Sequence, residues 1–211
     1  MTVQNTAVAR RRGRPNAADA TEKRREILRV ATELFLARGY REVTTRMVAE
    51  AAGVARQTLF NLYTEKAQLF QACLDYASPT YPGSAINPAD EPAAALPRFA
   101  VDLVQWLSRE NSLGFSRLIM VDGRNSPELS SLAEKHQNAH FIGPLAEYLT
   151  KWALEHPGDD ANARVFIAMA IAQWSQAISF GHDLPDRPQT ESHAQRITGI
   201  FLKGAARQLA C

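Results

Sequence analysis

The stretch from Thr44 to Lys66, TTRMVAEAAGVARQTLFNLYTEK, limits the possible folds more than any other part of the chain. Its pattern predicts a short helix over about residues 46–52, capped by Thr44 or Thr45. A turn at Gly53 and a second short helix from Ala55 to Tyr63 follow. This spacing is typical of a helix-turn-helix unit, whose second helix enters the major groove of B-DNA.

The residue types in this stretch fit that geometry. Small or apolar residues are expected to pack the two short helices together and against the preceding helix: Val48, Ala49, Ala52, Val54, Leu59 and Leu62. Arg56, Gln57, Thr58 and Asn61 are then left free on the second helix. Arginine pairs with guanine through two hydrogen bonds, and Gln or Asn pairs in the same way with adenine, so these residues are candidates for reading bases.

Residues 20–74 resemble the DNA-binding domain of the TetR/AcrR family of bacterial transcriptional regulators. The resemblance rests on several coupled elements at fixed spacing: Phe35, Thr44-Thr45, Val48-Ala49, Ala52-Gly53-Val54, Thr58-Leu59-Phe60 and Lys66. Such coupling is more specific than a lone short motif. The alternative is a helical bundle with accidental spacing.

The resemblance implies DNA-binding roles for Thr44, Thr45, Arg46, Arg56, Gln57, Thr58, Phe60, Asn61 and Lys66. Thr45 and Lys66 would contact phosphates, Arg46 a base or a phosphate, and Thr58 the DNA backbone. The family usually has Tyr, whose hydroxyl commonly binds phosphate, at the position of Phe60, and often His or Tyr at that of Leu62. Packing on the first helix is the alternative role of Phe60.

The N-terminal part of the chain is basic. Residues 1–70 hold 13 Lys and Arg but 7 Asp and Glu, whereas the remainder has an excess of acids. Arg10, Arg11, Arg12 and Arg14 form a run that contains a Gly-Arg-Pro sequence and resembles a minor-groove arm, in which extended arginines favour narrow A·T-rich grooves. The alternative is a basic tail that adds only nonspecific, salt-sensitive affinity.

The rest of the chain predicts an all-α fold of about nine helices. We expect a flexible basic arm over residues 1–19, a three-helix DNA-binding domain over 20–68, and a helical-bundle domain for ligand binding and dimerisation over 69–211. Five prolines and Gly83 between Ser78 and Pro97 predict an irregular connection, with its poorest order over 82–91. Among the last segments, 163–180 is predicted as one apolar helix and about 190–209 as the final helix.

The resemblance also implies a C-terminal dimer and a small-molecule pocket. The last two helices are the expected homodimer surface, since the first of them is apolar nearly all round. The alternative is that they form only the monomer core. The candidate pocket residues, each with a core role as its alternative, suggest a small hydrophobic or aromatic effector: Cys73, Leu74, Leu103, Trp106, Phe115, Leu118, Ile119, His140, Phe141 and Trp174.

Other classes of function have weaker support. The sequence holds no Gly-rich phosphate loop, G-x-S-x-G or H-E-x-x-H, so we expect neither an enzyme nor a cofactor. His136 and His140 have metal-pair spacing, but no third ligand lies at a matching interval, so no metal is expected. The longest apolar run is far shorter than the ~20 residues of a membrane span, and two cysteines are too few for a secreted disulfide framework.

We therefore expect a cytoplasmic, homodimeric repressor of a palindromic operator in double-stranded DNA, released when a ligand makes helix four swing and the recognition helices separate. The alternative is a DNA-binding regulator without a small-molecule inducer, constitutive or controlled by a protein partner.

Overall fold

The computed structural model describes residues 17–77 and 81–208, and these residues contain helices but no strand. The predicted all-α class is confirmed. The α-helices are α1 (Ala17–Glu42), α2 (Thr45–Ala51), α3 (Arg56–Leu62), α4 (Lys66–Ala77), α5 (Pro92–Leu107), α6 (Glu110–Asp122), α7 (Pro127–Gln137), α8 (Gly143–Lys151), α9 (Ala161–Ala170), α10 (Ala172–Phe180) and α11 (Arg187–Gln208). Short 3₁₀ helices occupy Pro82–Ala85 and Gly123–Asn125, and a π-helical turn occupies Asn138–Ile142.

Local signals set several helix boundaries. The Thr44 hydroxyl accepts a hydrogen bond from the Met47 amide at 3.2 Å and so caps α2, which decides between the two threonines. The Ser126 hydroxyl accepts from the Leu129 amide and caps α7 in the same way. Gly39 leaves the helical conformation near the end of α1, at φ 81° and ψ 167°. Only glycine adopts this backbone region readily, so Gly39 fixes where the chain turns.

Two hydrophobic cores position the functional elements. The first holds side chains of α1–α4 together with Phe115 and Leu118 of α6 and Leu129 of α7. Phe70 of α4 lies at its centre and meets Phe35, Tyr40 and Phe115 edge to face at ring-centroid distances of 5.0, 5.1 and 5.4 Å. The second core joins α5, α8, α9 and α11. Helix α4 therefore packs against both the N-terminal helices and the C-terminal segment.

Two predicted segments differ from the structure. The predicted apolar helix 163–180 is broken at Ile171, which has φ −90° and ψ 3° and separates α9 from α10. The 82–91 stretch, predicted to be the poorest in order, begins with a 3₁₀ helix, and the preceding Tyr81 is buried. Tyr81 stacks on His140 at a centroid distance of 3.9 Å and packs near Trp106 and Phe141, so aromatic contacts hold this connection to the body.

The last helices bury one side within the chain and leave another side open. Phe166, Ile167, Ile197 and Phe201 are buried in the second core, as the monomer-core alternative requires. Val165, Phe180 and Ile200 are exposed by 51%, 72% and 57%. In the part of the chain that the structure describes, no helix is both long and apolar enough to cross a membrane.

Candidate nucleic-acid interface and adjacent cavity

The outer face of α3 presents polar side chains. Arg56, Gln57 and Asn61 are exposed, Thr58 is half-buried, and Leu59 is buried beneath them. Val48 and Ala49 of α2 are buried, so α2 and α3 pack as a helix-turn-helix unit around Gly53, whose φ is 63°. The geometry leaves the four candidate base-reading residues on or near one accessible surface.

These polar side chains already have partners in the free protein. The Glu50 carboxylate of α2 lies 3.3 Å from the Arg46 Nε and accepts a hydrogen bond from Arg56 at 3.2 Å. The Gln57 amide donates to the Asn61 Oδ1 at 2.8 Å. All are on the surface, so each pair is weak and can be exchanged for a contact with DNA at small cost.

Two apolar side chains are exposed on the same helix. Phe60 is 55% exposed and Leu62 is 44% exposed. The expectation that Leu62 packs against α1 is wrong: α3 ends at Leu62, and Tyr63, with φ −143°, turns inward and is buried in its place. Packing on α1 likewise does not account for Phe60. An exposed phenyl ring on this surface can contact a thymine methyl group in the major groove.

Lys66 and the threonines flank α3. Thr45 is half-buried at the first position of α2, next to the capping Thr44. Lys66 begins α4, and its ammonium donates to the Tyr40 carbonyl at 3.0 Å and lies 4.3 Å from the centre of the Tyr40 ring. This contact holds the charge beside the end of α1. The candidate arm residues Arg10, Arg11, Arg12 and Arg14 lie outside the described residues.

Tyr40 also ties the N-terminal helices to the C-terminal segment. Its backbone amide donates to the Asp122 Oδ2 at 2.7 Å, and its hydroxyl donates to the Glu128 Oε2 at 2.8 Å. Burial, followed by the nearby carboxylate of Glu128, raises the pKa of Tyr40 well above its usual value, so the hydroxyl keeps its proton. We call these two hydrogen bonds the Tyr40 link.

A cavity of about 400 Å³ lies between α4, α5, α6, α7, α9 and α10. Its volume falls in the range of small-molecule sites. Seven of the predicted pocket residues line it: Leu74, Leu103, Trp106, Phe115, Ile119, Phe141 and Trp174. The indole N–H groups of Trp106 and Trp174 and the hydroxyl of the lining residue Ser112 have no hydrogen-bond partner within the described chain.

Three predicted pocket residues lie elsewhere. Cys73 and Leu118 belong to the first core, and His140 stacks on Tyr81 outside the cavity lining. Burial raises the pKa of the Cys73 thiol to about 12. The polar lining comes instead from residues that apolar periodicity could not single out: Ser112, Ser116, Ser130, Glu134, His136 and Gln137.

His136 stands at the edge of this cavity and is part of a polar cluster. Its Nδ1 lies 2.8 Å from the Gln71 amide nitrogen and 3.9 Å from the Asp75 Oδ1, while the His140 Nε2 lies 3.8 Å from the same carboxylate oxygen. Burial is the main cause that lowers the pKa of His136 to about 4. His140 lowers it further and Asp75 opposes the change. His136 is therefore neutral at pH 7, and its Nδ1 can accept the amide hydrogen of Gln71.

Comparison with known proteins identifies the helix-turn-helix region. Residues 27–73 match the model of the tetR family of bacterial regulatory proteins. This match confirms the resemblance predicted from the motifs in Thr44–Lys66, and it agrees with the expectation of a DNA-binding regulator rather than an enzyme. No curated protein matches the chain.

Several solved structures share the fold over most of the chain. A Mesorhizobium loti protein assigned to the TetR family of transcriptional regulators has a TM-score of 0.65 at 24% identity, covering 87% of this chain and 96% of its own. NalD, the secondary repressor of the MexAB-OprM multidrug efflux pump in Pseudomonas aeruginosa, and the flavonoid-responsive regulator FrrA each have a TM-score of 0.64 at 22% identity. Each comparison covers 87% of this chain and 97% of the other. At these identities the likeness establishes the shared fold.

Proposed function

We propose that this protein is a transcriptional repressor that binds a palindromic operator as a homodimer and is released by a small, largely hydrophobic ligand. The match of residues 27–73 to the model of the tetR family supports a DNA-binding regulator. The observation that carries the proposal is the exposed polar face of α3, with Arg56, Gln57 and Asn61 above the buried Leu59. Bases are read in the major groove by such side chains on a supported helix.

The base contacts that we propose divide into polar and apolar ones. Arg56 would leave Glu50 to pair with a guanine, and the amides of Gln57 and Asn61 would pair with adenine. Phe60 would contact a thymine methyl group. Thr45, Arg46 and Lys66 would bind phosphates, with Lys66 using donors that its single hydrogen bond to Tyr40 leaves over.

The dimer surface that we propose lies on the exposed side of α9–α11. Val165, Phe180 and Ile200 are exposed there, and a Cβ added to Gly199 or Gly204 of α11 would meet no atom within 4 Å. Small residues on an open helix face permit the close approach of a second helix. A two-fold pair of such surfaces would place two α3 helices for an inverted repeat.

The effector that we propose would occupy the 400 Å³ cavity. Its walls are mostly apolar, which supports a hydrophobic or aromatic ligand. Such a ligand should also carry a hydrogen-bond acceptor, because the buried indole N–H groups of Trp106 and Trp174 lack partners in the described chain. FrrA and NalD, which share the fold, are described as a flavonoid-responsive regulator and as a repressor of an efflux pump.

Selection of binding sites from random double-stranded DNA tests the first part of the proposal. The purified full chain, at near-physiological salt, should enrich an inverted repeat, and Arg56→Ala should relax the preference at one position of each half-site. Arg187→Ala is the matched control, because Arg187 also forms a surface ion pair but lies on α11. Enrichment of no sequence, with binding that disappears as salt rises, would contradict sequence-specific repression.

Two further measurements test the rest. Sedimentation of the free protein should give a dimer, and Ile200→Arg should shift it towards monomer. Compounds that bind the cavity should weaken operator binding, and Phe141→Leu, which keeps an apolar side chain in the wall, should weaken this response while leaving DNA binding intact. Binding of such compounds without a change in operator affinity would contradict ligand release.

A further inference from the structure

The cluster of Asp75, His136 and His140 brings together three side chains of metal-ligating types from three elements. Asp75 comes from α4, whereas His136 and His140 come from α7 and the π-helical turn that follows it. One ligand atom of each residue, Oδ1, Nδ1 and Nε2, lies within 4.8 Å of the other two. From these contacts we propose that the three side chains form a binding site for a divalent transition-metal ion, with Zn²⁺ as the best-fitting ion.

The spacing of the ligand atoms requires only small movements. At metal–ligand distances of about 2.0–2.2 Å, the ligand atoms of a tetrahedral zinc ion lie about 3.3–3.5 Å apart. The two histidine nitrogens lie 3.9 and 3.8 Å from the Asp75 oxygen, a difference that rotation of the exposed carboxylate can close. The two nitrogens lie within 4.8 Å of each other, and rotation of the imidazoles would have to bring them closer. Two imidazoles and one carboxylate are an established donor set for zinc, which takes water or another ligand at its fourth position.

The amide of Gln71 marks the place where a cation would bind. Its Nε2 lies 2.8 Å from the His136 Nδ1 and 3.4 Å from the Asp75 Oδ1, so a positively polarised N–H group faces two of the three ligand atoms. A metal ion would replace this amide. In the free protein the amide occupies the lone pair of the His136 Nδ1 that a metal ion would use.

The local backbone and the neighbouring Tyr81 hold the proposed ligands in place. The π-helical turn at Asn138–Ile142 widens the helix between the two histidines, and π-turns occur often at functional sites. His140 is held by its stacking on Tyr81, and the Tyr81 hydroxyl donates to the Asp75 carboxylate at 3.3 Å. Hydrogen bonds and stacking of this kind orient metal ligands.

The proposed site is accessible to ions from solvent and lies between α4 and α7. Asp75 is 51% exposed and His140 is 31% exposed, so an ion can enter from solvent, while His136 is nearly buried against the cavity. A bound ion would link α4 to α7 directly. It would therefore stabilise the folded chain and oppose movement of α4 relative to the body.

Zinc titration against a chromophoric chelator tests the site. The full chain without a histidine tag, in a Cys211→Ser background to remove a stray thiol, should bind one Zn²⁺ per chain. Asp75→Asn, His136→Gln and His140→Gln should each weaken binding roughly 100-fold or more, since loss of an outer-shell partner alone costs 10–100-fold. His182→Gln, a change at an exposed histidine after α10, is the matched control and should bind as the parent does.

A gain of affinity gives a second, independent readout. Gln71→Glu replaces the amide nitrogen by a carboxylate oxygen at ligand distance from the same centre, so zinc should bind at least tenfold more tightly. Asp75→Asn changes an exposed side chain, so its result does not depend on the stability of the fold. Absence of stoichiometric zinc binding, or binding that survives both Asp75→Asn and His140→Gln, would overturn the proposal.

Discussion

Replacement of Gly39 by alanine should destabilise the protein strongly, because two costs coincide at this position. At φ 81° and ψ 167° an alanine backbone is strained by about 1–3 kcal/mol. The new Cβ would also lie 2.7 Å from the Asp122 Oδ2, closer than real Cβ atoms approach other atoms. That oxygen accepts the hydrogen bond of the buried Tyr40 amide, so the carboxylate cannot move away without breaking the bond.

The size of the effect follows from these two costs. A hydrogen bond to a charged group contributes about 1.5–3 kcal/mol. Together with the backbone strain, we expect Gly39→Ala to lower the free energy of unfolding by about 3–5 kcal/mol. Gly181→Ala is the matched control, since Gly181 also has a positive φ of 71° but a Cβ there meets no atom within 4 Å. Gly181→Ala should lower the free energy of unfolding only by the strain of a left-handed backbone, about 1–2 kcal/mol.

Urea unfolding at one fixed protein concentration, followed by circular dichroism, measures both variants. The same Gly39→Ala change in an Asp122→Ala background should cost only the strain, because no carboxylate then opposes the new methyl group. If Gly39→Ala costs no more than Gly181→Ala in the native background, the Asp122 carboxylate moves freely and the reasoning about the Tyr40 link is wrong.

Three further predictions concern the surface of α3 and the buried thiol. Glu50→Gln should tighten operator binding up to about fivefold, because it frees Arg46 and Arg56 from surface ion pairs and removes a negative charge. Glu191→Gln on α11 should leave operator binding unchanged. Equal effects of the two substitutions in a fluorescence-anisotropy titration would contradict a local cause. Phe60→Ala should weaken operator binding about 5–20-fold with an unchanged salt dependence, since a base contact and not a phosphate contact is lost; a reduced salt slope would argue against this role. In a Cys211→Ser chain at pH 8, Cys73 should not react with iodoacetamide until urea unfolds the protein. Burial raises the pKa of its thiol to about 12, and only the thiolate reacts. Rapid labelling of Cys73 in the folded chain, detected by mass spectrometry, would contradict its burial.

Local signals made much of the fold predictable. The cap of α2 could be predicted as Thr44 or Thr45, because a cap needs only a hydroxyl one residue before a helix, and the structure selects Thr44. Gly53 could be identified as a turn because glycine readily adopts a positive φ, and its φ is 63°. The break at Ile171 could not be predicted, since no glycine or proline occurs there and the apolar pattern runs through it.

The site could be predicted in part for the same reason. The exposed residues of α3 follow from helix periodicity and from the family motif. Helix periodicity places Leu62 on the buried side, but α3 ends at this residue, and at the end of a helix the periodicity no longer decides which side chain faces the core. Asp75 could not be associated with His136 and His140 from an interval in the sequence, because its position depends on how α4 packs on α7.

Helix α4 provides a physical route from the cavity to the DNA-binding surface. Leu74 lines the cavity, Phe70 contacts both Phe115 of the cavity wall and Tyr40 of α1, and Lys66 at the other end of the helix bonds the Tyr40 carbonyl. A ligand can shift an equilibrium only through contacts that differ between two states. Ligands that displace Phe115 or Leu74 should therefore change DNA affinity, because Leu74 belongs to α4 and Phe115 packs on Phe70 of the same helix. Other ligands that bind the cavity equally tightly, but near Trp174 and without displacing Phe115 or Leu74, should leave the DNA affinity unchanged.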